Sequence, residues 1–174
     1  SPYKVGGRLG NENYGYEFSL NKKFTNGGAQ WNVEIALEDY SSTLTNIGLN
    51  RAFAQGKGLI PYQRNATIWA GRHSLARGHA DLNDYIFMTN KGTGLGITDL
   101  DYGLFKFDAA YLSGDADSSK GGDGDRKAVL ARLHGIQVVE SGWLNFSMGY
   151  GFSSRDDQRQ TAQLAVNYYQ NHKL

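Results

Sequence analysis

Cysteine is absent from all 174 residues, so neither a disulfide framework nor a thiolate metal site is available to this chain. No stretch approaches the roughly 18 to 20 apolar residues that a membrane helix requires, which excludes a helical membrane protein and leaves a strand-built one open. The formal net charge is +1, with 18 Lys+Arg and 17 Asp+Glu dispersed along the chain. There is thus no basic stripe for nucleic acid and no acidic tail, and nucleic acid is not an expected partner. Ser1-Pro2-Tyr3-Lys4 lacks the charged start and apolar core of a secretory leader, as a mature or truncated product would.

Catalytic signatures are equally scarce. No nucleophile elbow or zinc motif occurs, and the thin candidates are His73 and His79 with Ser74, Asp81 and Asp84, set among alternating residues. The glycines from Gly92 to Gly96 have neither a following lysine nor the dinucleotide fingerprint, and read as turn glycines. The acidic, glycine-rich stretch from Gly114 to Asp125 does not match the calcium-loop spacing. An enzyme is therefore not expected, and neither a metal nor another cofactor is called for.

What the chain does have is 23 glycines, 8 Phe, 11 Tyr and 3 Trp at a mean hydropathy of -0.53. A water-filled barrel produces this mixture, because lipid-facing aromatic and aliphatic residues alternate with small or polar residues facing the lumen. Period-two alternation recurs in segments of about 8 to 11 residues, the length at which a tilted strand crosses a membrane. From Trp31 to Asp39, Trp31, Val33, Ile35 and Leu37 share one face while Asn32, Glu34, Ala36 and Glu38 share the other. The same holds for Leu144, Phe146, Met148, Tyr150 and Phe152 against Asn145, Ser147, Gly149 and Gly151, and for Ala162, Leu164, Val166 and Tyr168 against their neighbours. Further strands are expected at about 13–22, 66–74, 80–88, 98–105, 107–113 and 127–137.

Connections should alternate between tight turns and long external loops. Asn26-Gly27-Gly28, Phe105-Lys106 and Glu140-Ser141-Gly142 read as the turns, and residues 40–65, 89–97 and 114–126 as the loops. The fold class is all-β: an antiparallel up-and-down transmembrane β-barrel. About nine strands is an odd number, and an open half-barrel in lipid would leave unpaired edges. Residues 1–174 are accordingly expected to be one single-domain fragment of a longer barrel. The alternative architecture is a soluble carbohydrate-binding β-sandwich, which would bury Val33, Ile35, Phe146 and Met148 against one another.

Three local stretches resemble the maltoporin (sugar porin) family. They are Arg8-Leu9-Gly10-Asn11-Glu12, then Gln55-Gly56-Lys57-Gly58-Leu59-Ile60 followed after six intervening residues by Thr67-Ile68-Trp69-Ala70-Gly71, and then the run from Gly92 to Gly103. Looser similarity extends through Asp108–Ser113, Ala131–Ile136 and Leu144–Gly151. The resemblance implies the second to tenth strands of an eighteen-stranded barrel. It also implies a homotrimer in the outer membrane of a Gram-negative bacterium, conducting maltodextrin-like or other oligosaccharides; a general diffusion porin is the alternative within the class.

Sugars present apolar C–H faces that stack on rings and a rim of hydroxyls that exchange hydrogen bonds, so a guiding pore needs aromatic groups beside charged ones. In the family these form an aromatic slide and an ionic track, and binding stays weak and multi-site so that conduction continues. Carried across residue by residue, Arg8 matches a track arginine, and Arg77 and Asp84 match charged positions near the constriction. Tyr16 matches the first slide tyrosine. Glu17 stands next to it, where the family leaves one residue between tyrosine and glutamate, so the two cannot share a face without a bulge. The constriction tyrosine falls on Ile86, and the arginine before Gln-Gly-Lys is displaced by one residue onto Arg51. No tryptophan occurs in 40–65 where the family reaches into a neighbouring subunit.

Overall fold

The computed structural model describes residues 16–39, 47–75, 78–80, 85–88, 91–114, 126–153 and 160–171. These form eleven strands: β1 (Tyr16–Asn26), β2 (Ala29–Asp39), β3 (Gly48–Lys57), β4 (Thr67–Ser74), β5 (Gly78–Ala80), β6 (Tyr85–Met88), β7 (Lys91–Asp101), β8 (Lys106–Ser113), β9 (Arg126–Val139), β10 (Gly142–Ser153) and β11 (Thr161–Gln170). Nine of them make one antiparallel sheet in the order β1-β2-β3-β4-β7-β8-β9-β10-β11, and β5 pairs with β6 outside it. The antiparallel up-and-down sheet and the count of nine agree with the sequence expectation, although β3 takes the place in the count that residues 80–88 were given.

Antiparallel order puts four connections at one end and four at the other. At the first end Gly27 and Gly28, with φ of 60° and 77°, make the two-residue β1–β2 turn, where positive φ at both positions suits the strand twist. Glu140 and Ser141 join β9 to β10 at this end. Residues 58–66 join β3 to β4 there, and Gln63 ties them to the end of β7: its Nε2 donates to the Asp101 carbonyl (2.9 Å) and its Oε1 accepts from the Asp101 N–H (2.9 Å).

Register sorts the side chains into two faces. Phe18, Leu20 and Phe24 of β1 stand opposite Leu37, Ile35 and Trp31 of β2, and Phe146 and Met148 of β10 stand opposite Val166 and Leu164 of β11. This apolar face is open: exposure runs from 49% at Ile35 to 74% at Leu164 among Phe18, Leu20, Ile35, Leu95, Met148 and Leu164. Val33, Ile35, Phe146 and Met148 are all exposed, so the burial that a sandwich demands does not occur. Lys22, opposite Val33, is a charged exception whose long stem can carry its ammonium toward an interface.

The opposite face is polar, yet it holds the buried core. Trp69, Leu75, Ala110, Leu112 and Leu130 cluster there. Trp69 shares a register row with Gly96, and a Cβ at Gly96 would stand 2.7 Å from the indole Nε1 and 2.8 Å from the Ala109 carbonyl. Glycine at this point is what lets the indole lie flat on the wall.

Several boundaries differ from the sequence expectation. Residues 40–65, read as a long loop, contain β3; its apolar-face residues Ala52, Ala54 and Gly56 are small, and Phe53 lies on the polar side, so alternation is muted. Of residues 80–88, read as one strand of the main sheet, the described ones, Ala80 and Tyr85–Met88, belong instead to β5 and β6, which pair with each other, and β4 pairs directly with β7. Residues 89–97, read as a loop, lie largely in β7, whose Gly92, Gly94 and Gly96 fit close against neighbouring chain rather than making a turn. The turn placed at Phe105-Lys106 occupies 102–105 instead. Of the loop at 114–126, residues 115–125 lie outside the described residues.

Candidate functional site

Ion-paired side chains on the polar face fall into two groups. In the first, Arg51 bridges two strands' worth of carboxylates: its Nη2 lies 2.5 Å from Glu17 Oε1 of β1, and its Nε donates to Glu34 Oε1 of β2 at 2.7 Å. Asn50 Nδ2 donates to the second Glu17 oxygen at 2.8 Å, and Asn21 reaches Glu34 at 3.4 Å. A register shift between Ala36 and Leu37 makes this possible, because it leaves Asn50 as an extra residue and turns both Asn50 and Arg51 toward Glu17. Lys91 Nζ pairs with Glu38 at 3.0 Å further along the same end. The three carboxylates of this region are each matched by a cation, and the groups remain partly exposed at 17–32% around Arg51. Charge-assisted donors that are neither sealed nor free can exchange one hydrogen-bond partner for another at small cost.

The second group centres on Asp108, whose side chain is fully buried. The Asp108 Oδ2 accepts from Arg132 (Nε 2.7 Å, Nη2 2.5 Å). Its Oδ1 accepts from the Asp99 N–H at 2.7 Å and lies 3.0 Å from His134 Nε2. Asp99 has φ of 60° at a register shift in β7, which aims its N–H inward, and Lys106 stands 3.7 Å from its carboxylate. Asp99, Asp108 and His134 bring three possible metal ligands together. The Asp108 lone pairs are nevertheless already directed at Arg132, His134 and a backbone N–H, so the cluster is compensated from within. Such a pairing keeps a buried carboxylate from being left without compensation.

Glu17 and Arg51, both singled out in the sequence, are thus brought together. Tyr16 is not: the β1–β2 register runs without a shift from Tyr16 to Asn26, which leaves Tyr16 on the apolar side with Phe18 and Leu20. Arg8, Arg77 and Asp84 lie outside the described residues. Sequence reasoning missed Glu34, Asn50 and the whole Asp108 group. The signal for them was a charged residue flanked on both sides by apolar ones, as in Phe107-Asp108-Ala109 and Ala131-Arg132-Leu133.

His73, a candidate for catalysis, stacks on Phe53 (centroids 4.0 Å apart) and meets Trp69 edge-on (5.0 Å). It sits in an aromatic sandwich with no described carboxylate or nucleophile bonded to it.

Comparison with known proteins matches residues 1–173 to the model of the LamB porin family. The chain is 31% identical over 160 residues to a maltoporin of Vibrio cholerae serotype O1, covering 88% of this chain and 38% of that protein. It is 33% identical over 147 residues to a maltoporin of Hahella chejuensis, covering 78% of this chain and 35% of the relative. It therefore spans well under half the length of these curated relatives. With the nine-stranded antiparallel sheet and its open apolar face, these matches place the chain in the LamB porin family.

Proposed function

We propose that the chain forms part of the wall of a passive outer-membrane channel for oligosaccharides, with the polar face lining water and the apolar face meeting hydrocarbon. The observation that carries this reading is the Glu17–Arg51–Glu34 bridge with Asn50, a line of exchangeable donors and acceptors across three strands, backed by an apolar face that nothing described covers. A sugar hydroxyl can take the place of either carboxylate on the guanidinium and return it as the sugar moves on. Its relatives carry the name maltoporin, and a maltodextrin-like saccharide is the natural first substrate. The protein acts as a channel rather than an enzyme, in a Gram-negative outer membrane, as a homotrimer.

Arg8, Arg77 and Asp84 complete the ionic track in this reading. Leu75, the residue after β4, is buried among Trp69, Leu112 and Leu130. Ile86 in place of a tyrosine makes the constriction less selective for maltodextrins. Ion current through the reconstituted pore tests all of this. Saturable interruption by maltodextrin supports the sugar channel, steady current at every sugar concentration indicates a general diffusion pore, and no current rejects the channel.

A further inference from the structure

The first five rows of the polar face divide by charge. Toward the long-connection end stand Glu17, Glu34, Arg51 and the Glu38–Lys91 pair, all matched. Toward the short-turn end two rows follow: Lys23, Asn32, Gln55 and Trp69, then Thr25, Gln30, Lys57 and Thr67. Neither row contains a carboxylate, and neither lysine has an ion-pair partner among the described residues. Lys23, Gln30, Asn32, Gln55, Lys57 and Thr67, together with Thr25 and with Phe24 and Trp31 of the adjoining apolar face, line one cavity of about 390 Å³, within the range of roughly 300–1,000 Å³ typical of small-ligand sites.

One further atom of the cavity wall points to a ligand. Asn32 Oδ1 is buried with no hydrogen-bond partner among the described residues. An acceptor left unsatisfied there is costly unless a guest or water answers it. Lys23 and Lys57 lie two strands and one row apart, about 12 Å between Cα atoms by sheet spacing. Their long stems let both ammonium groups close on one anion. The amides and hydroxyls between them suit the hydroxyls of a sugar ring.

We infer that the short-turn mouth of this wall is a binding subsite for saccharides bearing an anionic substituent, a carboxylate or phosphate, held by Lys23 and Lys57 with Asn32 and Gln55 on the ring hydroxyls. The inference rests on the channel reading above and adds a preferred substrate class to it. It differs from the Arg51 bridge, where each cation is already matched and a charged sugar would have to displace a carboxylate.

The test is current blocking of the pore that contains this chain, at 0.1 M salt, by trigalacturonate, its methyl ester and maltotriose. The ester keeps the rings and linkage and removes the charge. Trigalacturonate should block at about one tenth of the ester's concentration, and the advantage should shrink below about twofold at 1 M salt, where screening reaches about 3 Å. In the Lys23→Gln/Lys57→Gln pore the ratio should fall to about one, with interruption by maltotriose reporting an assembled channel. If that pore does not conduct, the two single variants carry the test, each losing about threefold. Equal blocking by acid and ester, or a preference that survives the substitutions, overturns the subsite while leaving the channel standing. Inorganic phosphate that abolishes the preference at the same concentration as trigalacturonate reduces the site to a general anion trap and overturns its saccharide assignment. A current that none of the three sugars interrupts overturns the oligosaccharide assignment of the channel and indicates a general diffusion pore.

Discussion

Replacing Arg51 by Gln removes the one cation that holds Glu17 and Glu34 together. Both carboxylates contact the same guanidinium, at 2.5 and 2.7 Å, which sets their oxygens about 5 Å apart by the width of the fork. With an effective dielectric of about 20, two negative charges at that separation repel by about 3 kcal/mol. Their side chains are 32% and 17% exposed, so relaxation and screening reduce this to about 1 kcal/mol. The sheet should therefore persist while the wall becomes more negative. The reversal potential in a KCl gradient should move toward the potassium potential, and maltodextrin block should weaken about tenfold as a charged donor is lost. Arg51→Lys separates the two effects: the charge stays, so selectivity holds, but the fork is gone and block weakens by a few-fold. If Arg51→Gln leaves both reversal potential and sugar block unaltered, the bridge does not face the conducting water and the track argument fails.

Gly96→Val should lower the folded fraction recovered in detergent, by about 1–3 kcal/mol, because its Cβ would press on the Trp69 indole and the Ala109 carbonyl; urea titration of the folded pore gives the number, and wild-type stability would refute the close approach. Leu164→Arg on the apolar face should cost about 2–4 kcal/mol if that face meets the middle of the bilayer; a soluble, undiminished protein would refute the membrane-facing assignment. Asp108→Asn, which leaves Arg132 and His134 facing a neutral group, should destabilise by about 3 kcal/mol, read by the same titration, and restoration by added calcium or zinc is not expected, since Arg132 already fills the cation's place.

The nine-strand architecture was legible because most strands carry their pattern in their own sequence. Trp31 to Asp39 and Trp143 to Phe152 alternate so plainly that one face can be assigned without knowing any partner. The strand Gly48–Lys57 was missed for a physical reason: its apolar-face residues Ala52, Ala54 and Gly56 are small, and the large ring of Phe53 sits on the polar face, so the usual contrast is absent. The strand Lys91–Asp101 was expected only from about residue 98, because glycines that make room for Trp69 and for the β8 backbone look the same in sequence as glycines that turn the chain. Both failures come from contacts between strands, which a single strand's alternation does not record.

The site divides along the same line. Glu17 was placed facing water on the cost of a carboxylate in lipid, and its neighbour Tyr16 had to yield, as the unbroken β1–β2 register shows. Arg51 could be named but not located, because a one-residue displacement in sequence becomes, at the Ala36/Leu37 register shift, an Asn50–Arg51 pair turned together onto Glu17. A bulge of this kind lets a displaced arginine keep its contacts: the strand absorbs the offset, and the guanidinium still reaches the carboxylates. Moving the arginine back by exchanging the two residues, Asn50→Arg with Arg51→Asn, should consequently keep at least half of the maltodextrin affinity. Complete loss of block in an assembled pore would mean that the guanidinium's position, rather than its presence on this face, determines binding.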